Sequence, residues 1–322
     1  MNEQQRISYW QDYSKIQLRL ERRFLPVINK VLANQISSFT DRLLRSGIHV
    51  STDLQRVKGV EMALVLSTLH VYCGVVNGHR VYKMLKQHKK TGGPRNRQWT
   101  QDVLEYFKEH NLKLVKNITD NTKARIQQVL KEGTEKGYGA EKTARMLKAD
   151  GFTKARALRI VRTESVRATN YGSWLAAFDL GIKVDKQWIA THDSRTRDTH
   201  MEIDGQVIEM DGSFRVPNGD ELFFPGDPEA PAAETINCRC TMGFIPIRNE
   251  VGRIETRPDK IPFLEPQEVD IPDLMMEIFS GAVPGFIEHD LLTVSDQIIT
   301  FVKEIFTGIG LKGALDKLFD KQ

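Results

Sequence analysis

Three residues have the types and spacing to do metal chemistry. Cys238 and Cys240 stand two apart, so on an extended segment both thiols project to one side. With His200, and with Asp193 or His192 as a fourth donor, the residue types suit tetrahedral zinc. Zinc pairs usually leave two or more residues between their cysteines, however, and this pair leaves one. No second paired motif accompanies it. The expectation carried forward is therefore that no cofactor is bound. Cys238 and Cys240 are then small buried hydrophobes, and His200 is a hydrogen-bonded core histidine. The three are still expected to be neighbours.

Catalysis is the sharper alternative for the same stretch. Asp193, His192, His200 and Arg195 offer an acid–base cluster, and Cys238 with His200 offers a nucleophile pair. Against this, the chain has no Gly-rich phosphate loop, no serine elbow and no carboxylate pair at a recognised metal spacing. The expectation is a protein that is not an enzyme.

A second chemistry is electrostatic. Lys83, Lys86, His88, Lys89, Lys90, Arg95 and Arg97 fall within fifteen residues without an acid, and Trp99 follows as a candidate stacking ring. Lys83, Lys86, Lys89, Lys90, Arg95 and Arg97 are thus candidate contacts to double-stranded DNA, reading phosphates and not sequence. A solvated helix end has the same composition. A third group is the run containing Arg159, Arg162, Glu164 and Arg167. A carboxylate inside a phosphate grip defeats it, so Glu164 with Arg167 or Arg162 is expected as a polar strut to the following domain. Thr169 and Asn170 are expected to bond a neighbouring strand.

These residues sit on a chain of 322 residues, 40% hydrophobic and 27% charged, the composition of a soluble globular protein with room for two domains. No uninterrupted apolar run approaches the roughly 18 residues of a membrane span, and MNEQQRISYW is too polar for a signal peptide. Three cysteines make no disulfide framework, which points to a reducing compartment. Residues 1–200 hold 36 Lys and Arg against 19 Asp and Glu, while 201–322 hold 10 against 23. The basic part is suited to a polyanion, unless the two parts neutralise each other internally.

Proline and periodicity set the organisation. Only Pro26 and Pro94 of twelve prolines lie before residue 200. Long helices are therefore confined to the first part. Ile16, Leu20, Phe24, Val27, Ile28, Val31, Leu32, Ile36 and Phe39 give one apolar face, with Pro26 a candidate kink. Further helices are expected over about 53–88, 98–116, from Thr119-Asp120 onward, 140–149 and 153–180. A strand follows at 184–190, then a short helix over 194–201 capped by Asp193. The predicted fold is mainly α: a helical region 1–117, a helical part 118–181, a small α+β domain 182–247, a Pro-rich linker 248–272 and a helical tail 273–322. The tail's apolar stripes, Leu274–Phe279 and Ile298–Ile309, must be buried against something.

The run Arg162-Thr163-Glu164 with Ala168-Thr169-Asn170, then Trp188, then Asp193, Arg195, Arg197 and His200, then Asn237-Cys238-Arg239-Cys240, resembles the Mu F-like group of phage head morphogenesis proteins. The likeness spans about 118–245. It implies a minor head protein inside the virion capsid, made in the host cytoplasm. Its implied partners are the portal, with scaffold or major capsid protein and DNA as further ones, and no membrane. The rival reading is a nucleic-acid enzyme or toxin built on the same module; a metal-stapled interaction domain is the third.

Overall fold

The computed structural model describes residues 1–46, 54, 57, 59–88, 96–149, 152–257, 270–283, 291 and 294–319. Long helices come first: α1 (Glu3–Ser46), α2 (Val60–Leu85, continued by a 3-10 turn Lys86–His88), α3 (Asn96–Glu135), α4 (Ala140–Ala149) and α5 (Phe152–Asp179). The small mixed part holds β1 (Val184–Ile189), α6 (Asp198–Glu202), β2 (Val207–Glu209), β3 (Phe214–Arg215), β4 (Glu221–Leu222), α7 (Ala232–Thr235) and β5 (Thr241–Pro246). The tail adds α8 (Ile271–Ala282), α9 (Asp296–Gly308) and α10 (Asp316–Phe319). Mainly α with a small α+β part is the observed class, as predicted.

The apolar face of α1 is where its period placed it. Leu20, Phe24, Ile28, Val31, Leu32, Ile36 and Phe39 are buried, while Ile16 and Val27 are only partly so. The helix runs unbroken through Pro26. Helix α3 departs from expectation, because Thr119-Asp120 starts no new helix. Val103, Phe107, Val115, Ile118, Ile126 and Val129 carry one apolar face straight across it. Thr122 Oγ1 donates back to the Ile118 carbonyl at 2.9 Å, so a capping residue type is used inside the helix. Helix α2 begins at Val60, behind Gly59; residue 53, where the predicted helix starts, lies outside the described residues.

Helix α2 is the hub, packed by α1, α3, α5, α8 and α9. By length and hydropathy Val60–His88 would qualify as a membrane span, and 83% of its most apolar window is buried inside the protein. It crosses α5 backbone to backbone. A Cβ placed on Gly172 would overlap the Gly74 carbonyl, so only glycine fits there. The tail closes the same core. Ile271, Leu274, Met275, Ile278, Phe279, Ile298, Val302, Ile305 and Phe306 are buried in it, and Phe301 meets Phe24 edge-on at 5.3 Å. Its stripes are thus covered by their own chain.

The sheet has the order β2-β1-β5, all antiparallel, with Lys186 opposite Phe244 and Trp188 opposite Met242. A β3–β4 hairpin lies beside it. The first part of the predicted linker is drawn into the fold. The Lys183 amide donates to the Glu255 carbonyl at 2.9 Å, and 248 and 254 form a bridge. Residues 258–269 lie outside the described residues.

Candidate functional site

Helix α5 is the spine of the site. Thr163, Arg167 and Asn170 follow one another at four and three residues, so they share a face toward the α+β part. Thr163 Oγ1 accepts the Asn237 amide at 3.0 Å, and Arg167 Nε donates to the Gly226 carbonyl at 2.6 Å. Asn170 Nδ2 donates to the carbonyls of Pro225 and Cys240, and its Oδ1 accepts Thr241 Oγ1 at 2.9 Å. The expected strand contact of Asn170 is present. Thr169 turns the other way, to Tyr13 of α1 at 2.8 Å, because it lies on the opposite side of the helix.

The Glu164–Arg167 pair forms, but only Arg167 reaches the following domain, through Gly226, while Glu164 itself faces α2 and α3. Glu164 is 3% exposed; its Oε1 accepts Arg167 Nη1 at 2.6 Å, and its Oε2 lies 3.0 Å from Nε2 of both His70 and His110. Burial alone would raise this carboxyl. The Arg167 guanidinium and the two imidazoles outweigh it and hold Glu164 well below the usual carboxylate range. Arg162 is not part of this group: it pairs two-pronged with Glu21 of α1 at 3.0 and 3.1 Å. It belongs to a ladder along α1 in which Arg6, Tyr9, Trp10, Tyr13, Gln17 and Glu21 each bond a residue of 162–242.

The turn after β1 corrects an expectation. Asp193 does not cap a helix over 194–201; α6 starts at Asp198, behind Arg197. Asp193 accepts the Arg195 amide at 2.9 Å and grips Arg239 with both oxygens, while Thr196 Oγ1 bonds the Thr191 carbonyl. These bonds hold 193–197 as a turn. The Arg239 guanidinium depresses the Asp193 carboxyl far below its ordinary value. Arg197 Nη2 donates to the Ile236 carbonyl at 2.7 Å, and the Arg195 side chain is exposed.

His200, Cys238 and Cys240 are neighbours. His200 Nδ1 lies 3.7 Å from Cys238 Sγ and 3.6 Å from Cys240 Sγ, and all three residues are at most 2% exposed. Trp188, stacked edge-on against His200 at 5.1 Å, walls the cluster with Phe214. Burial pushes the Cys240 thiol up; the hydrogen bond from Cys240 and the facing His200 pull the Cys238 thiol down. Neither candidate fourth ligand joins them, since His192 pairs with Asp204 at 3.1 Å and Asp193 is held by Arg239. The proposed acid–base cluster of His192, Asp193, Arg195 and His200 is likewise pulled apart by these separate partners. His200 and Cys238 do meet as a pair, but buried.

Nothing in the spacing pointed to Glu234, which faces the other side of the His200 ring, or to Lys186. Lys186 is buried, with Nζ donating to the Phe223 carbonyl at 2.7 Å and standing 3.6 Å from the Phe223 ring centre. Burial draws its ammonium down to about 7. Of the basic run, Lys83 and Lys86 are exposed at the end of α2. Lys89, Lys90 and Arg95 lie outside the described residues, as does the Arg97 side chain. Trp99 is no stacking platform: it is 1% exposed, packed by His79 and Tyr82.

Residues 124–243, from mid-α3 into β5, match the family model described as Phage Mu protein F like protein. Over 92 residues the chain is 39% identical to "NAD(+)--arginine ADP-ribosyltransferase EFV" of Enterococcus faecalis, covering 26% of this chain and 18% of that protein. It is 32% identical to "Minor head protein GP7" of Bacillus phage SPP1 over 123 residues, 37% of this chain and 40% of that protein. It is 26% identical to "Uncharacterized protein YqbB" of Bacillus subtilis over 144 residues, 44% of this chain and 47% of that protein. The chain spans less than half the length of each of these relatives. No solved structure matches it. The matched segment is the one built on the Thr163, Arg167 and Asn170 face of α5, and it is this segment that is similar to the phage Mu protein F-like family.

Proposed function

We propose that this chain is a structural minor head protein of a tailed phage. In this reading it joins the portal during head assembly in the host cytoplasm and stays inside the capsid, with scaffold or major capsid protein as further neighbours. The basic end of α2 meets packaged double-stranded DNA through phosphates alone. The observation that carries the reading is the family match over 124–243 together with the likeness to a protein named as a minor head protein. The motif residues support a scaffolding role. Thr163, Glu164, Asn170, Asp193 and Arg239 all spend their polar atoms on internal bonds.

The test is co-expression with the portal protein of the same genome, followed by analysis of purified particles. Co-purification with portal and presence in virions are expected. Absence from both would remove the reading. A second reading, an enzyme or toxin built on the module, is favoured by the likeness to a protein named as an ADP-ribosyltransferase. Transfer of label from NAD to arginine substrates by the purified chain would establish it.

A further inference from the structure

The two thiols and the imidazole of the buried cluster converge on one point, and the surroundings of each are those of a ligand. Zinc bonds sulfur at about 2.3 Å and imidazole nitrogen at about 2.0–2.1 Å in tetrahedral geometry, which requires N···S separations of about 3.6 Å. His200 Nδ1 stands 3.6 and 3.7 Å from the two sulfurs, and all three ligand atoms lie within 4.8 Å of one another. We propose that His200 Nδ1, Cys238 Sγ and Cys240 Sγ hold one zinc ion, with Glu234 as the outer carboxylate that orients the imidazole.

Glu234 is the observation beyond the cluster itself. It is 4% exposed, and its Oε2 lies 2.9 Å from His200 Nε2, an ion-pair distance although off the line of a straight N–H···O bond. A carboxylate there favours the proton on Nε2 and leaves Nδ1 as a bare lone pair facing the sulfurs. Glu234 is itself fixed by Thr199 Oγ1 at 3.1 Å and Asn218 Nδ2 at 3.0 Å. The sulfurs also have a backbone donor: the Cys240 amide points at Cys238 Sγ at 3.4 Å, a bond that favours thiolate over thiol.

Core packing alone accounts for this less well. One imidazole lone pair satisfies one S–H, yet two sulfurs stand at the same distance from it. A cation satisfies all three ligands at once, and its binding releases the thiol protons to solvent without any change of oxidation state. The ion also has structural work to do. The cluster it would staple is small, comprising Trp188, Ala190, Ile203, Phe214, Val216, Leu222 and the two cysteines. It would tie α6 to the turn before β5. Among the described residues no fourth ligand is in place.

The test uses the full chain, loaded with zinc, dialysed and analysed for metal. About one equivalent is expected. Cobalt(II) in its place should give tetrahedral visible bands with a thiolate charge-transfer band. The Cys238→Ser/Cys240→Ser double variant should lose both, while Cys73→Ala, changed in the α2 core, should keep them. Glu234→Gln leaves every ligand in place, and should weaken zinc binding about 10–100-fold while retaining the cobalt spectrum. If the double variant does not fold, that affinity shift and the wild-type stoichiometry decide. A chain that takes up no zinc, a mass lowered by two hydrogens from a Cys238–Cys240 disulfide, or unchanged affinity in Glu234→Gln would each overturn the proposal.

Discussion

The Asn237 amide donates to Thr163 Oγ1 at 3.0 Å across 74 residues of chain. It ties the Arg162-Thr163-Glu164 motif of α5 to the last motif of the module, Asn237–Cys240. Asn237 has φ of 58°, the one non-glycine residue among those described with a positive φ. Asparagine tolerates that region because its short side chain bonds locally.

Asn237→Gly should therefore change stability by only a few tenths of a kcal/mol, whereas Asn237→Val should cost about 1–2 kcal/mol. Thr163→Val leaves the Asn237 amide without its acceptor and should cost about 1–3 kcal/mol. Thr163→Ser should recover most of it. Urea denaturation of the four variants checks the order.

Removing the buried carboxylate should be worse. Glu164→Gln leaves the Arg167 charge uncompensated among two histidines and should cost about 3–5 kcal/mol. The folded carboxyl is depressed, so its stabilisation is present above the unfolded value near 4.5 and is lost as pH falls through the lower folded value. The gap between wild type and Glu164→Gln should be constant near neutral pH and close below about pH 4.5. A gap independent of pH down to acid unfolding would contradict this.

Lys186 predicts the opposite slope. Its folded value near 7 lies below the unfolded 10.5, so the unfolded chain binds the extra proton between them. The Lys186 contribution to stability should thus rise from pH 7 to pH 10.5. Lys186→Met keeps the volume, and should stabilise the protein at pH 7 by on the order of 1 kcal/mol or more. It should also remove that rise, read as the difference between the two stability–pH curves.

The α2–α5 crossing admits no side chain. Gly172→Ala drives a methyl into the Gly74 backbone and should cost about 3 kcal/mol or more, or prevent folding. Gly139→Ala, where a Cβ meets nothing within 4 Å, serves as the matched control and should be neutral or slightly stabilising.

If the basic end of α2 meets DNA, duplex affinity should fall steeply with salt and be indifferent to sequence. Neutralising Lys83, Lys86, Lys89, Lys90, Arg95 and Arg97 together should flatten the salt slope by about 0.9 for each phosphate that is no longer paired with a cation. An unchanged slope would show that the run is a solvated helix end.

The features legible in the chain alone are local ones. The three- and four-residue recurrence from Leu20 to Phe39 is enough to bury one face of α1, because helical periodicity is a property of a few consecutive turns. Two cysteines spaced for one side of the chain, and Asn170 on the strand-facing side of α5, were legible for the same reason. Other facts belonged to the tertiary structure alone. Thr119-Asp120 reads as a helix start, yet the apolar face running past it decided for one continuous helix, since burial outweighs a capping preference worth about 1 kcal/mol. Asp193 reads as a cap, and Arg239, 46 residues away, took it instead. Glu164 meets His70 and His110, and His200 meets Glu234, across separations at which no local pattern survives. Buried polar groups must find partners wherever the packed helices bring them, and that choice is made by the fold and not by spacing.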